Sequence, residues 1–168
     1  YDHHLKGIDN GLGAEPPVKF FVLNDNCWHY RTNWPPPNVV ATSFYLGSEG
    51  RANTPVGDGY LTRNIPTETK TDHFVYDPNN PVLSLVGPSG QAAACDQSPL
   101  RGRQDILVYQ TEILSEDLVS VGPVSCVLFI ESDAPDTDFF AKLIEVGQDN
   151  LAVNIAQGML RTRYRSKY

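Results

Sequence analysis

The sequence predicts an all-β domain, of the β-sandwich or jelly-roll kind. Three observations carry that reading. Apolar runs are short and rich in Val, Ile, Phe and Tyr. Gly, Pro, Asn and Asp punctuate them as turn signals. Beyond the first residues almost no segment repeats its apolar positions at helical spacing.

The elements follow in chain order. Residues 1–7 close a helix: Leu5-Lys6-Gly7 is a C-terminal turn with glycine as left-handed cap and lysine near the negative end of the dipole. The breaker Gly11-Leu12-Gly13-Ala14-Glu15-Pro16-Pro17 comes next. Strands are then expected at 18–23, at 42–46 stopped by Gly47, weakly at 59–61, and at 72–76 stopped by Asp77-Pro78. Trp34-Pro35-Pro36-Pro37 reads as a rigid corner with Trp34 packed on it, since a polyproline ligand would need a second register. Residues 79–104 hold Pro, Gly, Ser and Ala without a helical period, and a loop this long is functional or packs on something else. The last third is the most regular, with strands expected at 105–110, 119–130, 139–146 and 151–165. Pro123 interrupts the second of these at a start, edge or bulge, and Gly158 suggests a bulge or a close backbone approach in the last.

Composition sets the outer limits. The chain has 168 residues, with 13 Lys+Arg against 20 Asp+Glu and a net charge of −7. That balance argues against nucleic acid or an anionic membrane surface as a partner, because phosphate binding needs cation density. No apolar run approaches the ~20 residues of a membrane span, and the polar opening Tyr1-Asp2-His3-His4 is no signal peptide. One domain of this length can bury roughly 70% of its unfolded surface. The chain opens with Tyr1 and its only methionine is Met159, as expected of a processed chain or an excised piece.

Chemistry-bearing motifs are few. Cys27, Cys95 and Cys126 are widely spaced, with no C-x-x-C, and read as three separate thiols in preference to one disulfide and a free thiol. Gly87-Pro88-Ser89-Gly90 lacks the final glycine of a nucleophile elbow and reads as a turn. His29 sits in the aromatic run Trp28-His29-Tyr30, where packing is expected, and His73 begins a strand. Converging metal ligands are suggested nowhere beyond the adjacent His3 and His4. The acidic run 131–138 lacks the glycine and terminal glutamate of a calcium loop and reads as a turn around Pro135. Arg161, Arg163, Arg165 and Lys167 alternate, so on a strand they share one face, either solvated or paired with that acidic turn.

The order of motifs resembles the CocE/NonD family of serine hydrolases, which includes X-Pro dipeptidyl-peptidases, cocaine esterase and α-amino-acid ester hydrolases. Residues 1–11 resemble the segment leaving that family's α/β-hydrolase domain. Pro17-Val18-Lys19-Phe20-Phe21-Val22 with Trp28 and Trp34-Pro35 resembles the opening strand of its C-terminal domain. Gly50-Arg51-Ala52-Asn53-Thr54, Tyr76-Asp77-Pro78 and Asp96-Gln97-Ser98-Pro99-Leu100 fit as well. So do Ser132-Asp133-Ala134-Pro135-Asp136-Thr137-Asp138-Phe139 and Gly158-Met159-Leu160-Arg161-Thr162-Arg163-Tyr164-Arg165.

The resemblance implies a galactose-binding-like jelly roll over 16–168, truncated at its C-terminus, preceded over 1–15 by the end of a hydrolase domain with a helix remnant. It implies that the Ser, Asp and His of the acyl-transfer triad all belong to that upstream domain. None transfers onto this chain: His3 and His4 fall after the family histidine. No cofactor or metal is implied. The expected role is to cover and shape the parent's active site, acting on a small ester, amide or peptide through it. The segment Leu85, Val86, Gly87, Pro88, Ser89, Gly90 and Gln91 corresponds in position to one that approaches the site. The family sandwich continues past the Arg-Tyr-Arg strand, so an exposed sheet edge is expected here, open to pairing with another chain. The reading from a different class is an independent carbohydrate-binding module, with Trp28, Tyr30, Trp34 and Tyr45 as a stacking platform.

Overall fold

Among the described residues, six strands and one five-residue α-helix, joined by turns and extended segments, make an all-β chain. The computed structural model describes residues 1–53, 57–86 and 95–166. The chain divides into two units. One comprises Tyr1–Thr42 with Glu116–Pro123, the other Ser43–Ser115 with Val124–Tyr168.

In the first unit, helix α1 (Asp2–Lys6) ends on Gly7 at φ 68°, the left-handed cap that the sequence predicts. Lys6 Nζ meets Asp2 Oδ1 one turn earlier at 2.9 Å. Strands β1 (Val18–Val22) and β2 (Cys27–Arg31) form an antiparallel hairpin. The turn places Asn24 and Asn26 at positive φ, 67° and 52°, which asparagine tolerates better than other residues with a Cβ. Pairing of Val22 with Cys27 and Phe20 with His29 puts those four on one face. Phe21 with Trp28 and Lys19 with Tyr30 occupy the other. Trp34 packs edge-on against Phe20, with centroids 5.5 Å apart, and Pro36 behind it is buried, as a corner requires.

In the second unit, β3 (Tyr45–Gly47) pairs antiparallel with β4 (Tyr60–Thr62). The backbone of Gln110 joins β4: Leu61 N–H donates to its carbonyl at 2.9 Å, and its own N–H donates to Gly59 O at 3.3 Å. Beside it, Val108 N–H donates to Ala52 O. Gly59 must be glycine here, because a Cβ would lie 2.1 Å from Val108 O and 2.9 Å from Ala52 Cβ.

Strands β5 (Asp138–Val146) and β6 (Ala152–Arg161) form the longest hairpin. Its turn is closed by Gly147 N–H to Leu151 O, with Asn150 in the left-handed region. The register shifts between Leu143 and Ile144, because Ala156 and Asn154 oppose them and Ile155 is extra. A third segment lies along the near end of β6: Gln97 N–H donates to Ala152 O at 2.7 Å, and Asn154 N–H to Cys95 O at 3.1 Å. Ala52, Ala152, Ser48, Gln97 and Asn154 are the buried side chains of these joins.

Several expected strands are absent from the described residues. Segments 72–76, 105–109 and 119–130 are extended or bent and form no ladder among the described residues. Only Gln110 of its segment makes a bridge. The last strand ends at Arg161, four residues early, where Thr162–Tyr164 winds into a 3₁₀ turn. The bulge lies at Ile155 and not at Gly158, around which a Cβ would meet nothing within 4 Å. Among the described residues the buried aliphatic side chains are Ala52 and Ala152, while Ile113 and Phe129 are fully exposed. Two-stranded sheets leave open faces that larger sheets would cover.

Candidate functional site

Three clusters of polar side chains could carry chemistry, and each is built by a different local device. The first centres on Asp72. Ser48 Oγ and Tyr109 Oη both donate to Asp72 Oδ2 at 2.6 Å, and Ala52 N–H donates to Oδ1 at 2.8 Å. Burial pushes this carboxyl up, but the three donors outweigh it and hold it below the ordinary carboxylate range. Burial, and then donation to Asp72, pushes the Tyr109 phenol well up. Ser48 Oγ also accepts from Gly50 N–H at 3.2 Å. Its proton points to a carboxylate, and among the described residues its hydrogen bonds are to Asp72, Lys70 and Gly50, so this serine ties loops together.

The second cluster lines a cavity of about 560 Å³ with Asn53, His73, Asp77, Asn80, Arg103 and Asp105 among its walls. Arg103 makes a bidentate pair with Asp105 at 2.6 and 2.8 Å and reaches the Asn80 carbonyl at 2.6 Å. Asn53 Nδ2 donates to His73 O at 2.8 Å and Gln104 O at 3.1 Å. The guanidinium is committed within the wall, which makes this a brace and not an open anion site. The hydrogen bond from Arg103 holds the Asp105 carboxyl below its usual value.

The third lies on the β1–β2 hairpin. Cys27 Sγ donates to Asp25 Oδ2 at 3.0 Å, while His29 Nε2 lies 3.1 Å from that sulfur and 3.0 Å from that oxygen. Cys27 and His29 lie two apart on β2 and share a face, and Asp25 reaches them from the preceding turn. The thiol, then the imidazole, holds the Asp25 carboxyl low. The aromatic run around His29 predicts packing, and the sequence suggests converging ligands only at His3 and His4, whereas the structure brings His29 to Asp25 and Cys27. The alternate spacing D-x-C-x-H was the available signal.

Leu85 is half-buried and Val86 exposed, while Gly87, Pro88, Ser89, Gly90 and Gln91 lie outside the described residues. Cys27, Cys95 and Cys126 are all free thiols. The acidic turn is held by arginines: Arg161 grips Asp138 through two bonds at 2.7 and 2.8 Å, and Arg163 pairs with Asp136. Arg161 and Arg163 do not share a strand face, because the strand stops between them. Trp28 and Tyr30 share one face of the hairpin, with Lys19 Nζ 5.3 and 5.0 Å from their ring centroids, but Trp34 packs on Phe20 of the other. These three aromatics therefore form no common platform. Among the described residues no serine hydroxyl is hydrogen-bonded to a histidine ring, and no helix is long and apolar enough to cross a membrane.

Residues 10–168 match the sequence pattern of the X-Pro dipeptidyl-peptidase C-terminal non-catalytic domain. The chain is 41% identical over 169 residues to cocaine esterase of Rhodococcus sp. (strain MB1 Bresler), covering 98% of this chain and 29% of that protein. It is 30% identical over 170 residues to "Putative serine esterase Mb1866c" of Mycobacterium bovis, covering 98% of this chain and 25% of that protein. The chain thus spans less than a third of the length of these curated relatives.

Proposed function

This chain belongs to the family of X-Pro dipeptidyl-peptidase C-terminal non-catalytic domains, and from that premise we propose that it covers and shapes the active site of a longer serine hydrolase. One observation carries the reading: the match to an esterase runs through nearly all of this chain yet through only 29% of the esterase. The reaction belongs to the upstream α/β-hydrolase part, which residues 1–15 leave, while 16–168 form the covering domain. There a serine attacks an ester, amide or peptide carbonyl, a histidine takes its proton, and water releases the acyl group. This chain supplies walls and exclusion of water. The segment Leu85 to Gln91 is the part proposed to reach the pocket.

The test uses the whole protein. Shortening residues 85–91 should change the ratio of kcat/KM between small and bulky acyl esters by about 10-fold, the range that pocket contacts command. Thermal stability should change little. Equal kinetics across ester and amide panels would overturn the role given to this segment. Loss of all hydrolysis on replacing an upstream serine nucleophile, with the present chain intact, is expected under the same reading.

The unpaired backbone edges of the two-stranded sheets support pairing with a second copy. Light scattering over rising concentration reads this directly, and a constant monomer mass would oppose it.

A further inference from the structure

We propose that Asp25, Cys27 and His29 form a binding site for a borderline divalent cation of the zinc class. Each residue offers a different ligand atom: a carboxylate oxygen, a sulfur and an imidazole nitrogen. The three atoms make a nearly equilateral triangle with edges of 3.0, 3.1 and 3.0 Å. A tetrahedral zinc ion with bonds near 2.0 Å to nitrogen and oxygen and 2.3 Å to sulfur spaces its ligands by about 3.3–3.6 Å. Each edge therefore has to open by roughly half an ångström or less, a movement within reach of exposed side chains. Binding releases the Cys27 thiol proton to solvent and leaves one position of the ion for water.

The hairpin explains why the atoms converge. Cys27 and His29 lie two apart on β2 and project to the same face, and Asp25 in the turn meets them from the strand end. Phe20 stacks on the His29 ring, with centroids 5.6 Å apart and planes 16° from parallel, which fixes the imidazole plane. Nitrogen with thiolate sulfur favours zinc, cobalt or nickel over magnesium or calcium, which want oxygen alone.

A nucleophilic Cys-His-Asp relay is the competing chemistry, and the geometry opposes it. A relay uses one imidazole nitrogen for the thiol and the other for the carboxylate. Here both contacts fall on Nε2. One nitrogen, one sulfur and one oxygen, each about 3 Å from the other two, describe a coordination triangle. The site does not depend on whether the longer protein is an esterase.

The experiment is titration of the whole protein, stripped of metal, with Co²⁺ followed by absorbance. Wild type should develop a thiolate-to-cobalt charge-transfer band and visible d–d bands, displaced by Zn²⁺. The Cys27→Ser variant should lose the charge-transfer band. His29→Gln and Asp25→Asn should each weaken binding about 100-fold, the upper end of what even an outer partner of a ligand costs. Cys95→Ser and Cys126→Ser should keep the band. All of these side chains can be checked for unchanged folding by circular dichroism before titration. A charge-transfer band that survives Cys27→Ser, or wild-type affinity in His29→Gln, or no cobalt band in wild type, would overturn the site.

Discussion

Tyr109 donates its phenolic proton to Asp72 at 2.6 Å, from a residue 37 positions further along the chain. The same carboxylate oxygen receives Ser48, so three separate segments meet on one charge. Tyr109→Phe removes one donor and should cost about 1–2 kcal/mol. Asp72→Asn removes the charge that all the donors address and should cost about 2–3 kcal/mol. Urea unfolding of both variants checks the order, and a smaller loss for Asp72→Asn would contradict the hub.

Acid should weaken the fold through its carboxylates. Asp72, Asp96, Asp105, Asp136 and Asp138 all sit below their ordinary value of 3.8. A carboxyl with a depressed folded pKa contributes stability above its unfolded value and loses it as pH falls through the folded one. The unfolding midpoint should therefore hold steady at neutral pH and drop between about pH 5 and pH 2. A midpoint flat through that window would refute this account.

The acidic turn and its arginines give a specific coupling test. Arg161 holds Asp138 and Arg163 holds Asp136. A double-mutant cycle of Arg161→Ala with Asp138→Asn should show clear non-additivity, since the two side chains share two hydrogen bonds. The crossed cycle, Arg163→Ala with Asp138→Asn, should lie closer to additive. Raising salt should shrink the coupling, because both arginines are exposed.

Two glycines should respond in opposite directions to the same change. Gly59→Ala drives a methyl into the Val108 carbonyl and should destabilise by about 1–3 kcal/mol. Gly158→Ala meets open space on a strand and should be neutral or stabilise by about 0.5 kcal/mol. Thermal midpoints of the two variants separate them, and equal shifts would contradict the packing around Gly59.

The sequence made some of this legible, for local reasons. The Gly7 cap, β1 and most of β5 follow from residue type alone, because their signals lie within a few neighbours. Segments 72–76, 105–109 and 119–130 have strand composition but no ladder, since pairing depends on a partner that composition does not reveal. Strand β2 went unread because Cys-Trp-His-Tyr-Arg does not alternate apolar with polar, and both its faces are largely exposed. The hub on Asp72 was invisible because its members stand at positions 48, 72 and 109. The hairpin cluster was closer to hand, at positions 25, 27 and 29, but needed the strand to be recognised first.

The extra residue at Ile155 gives β6 a split inheritance. Before it, Ala152 and Asn154 engage the segment at Cys95 and Gln97; after it, the strand runs on to Arg161 and its grip on Asp138. The bulge shifts the alternation of faces by one residue, so odd positions before Ile155 share a face with even positions after it. One half is thus held by the 95–97 segment and the other by the acidic turn, on a single continuous strand.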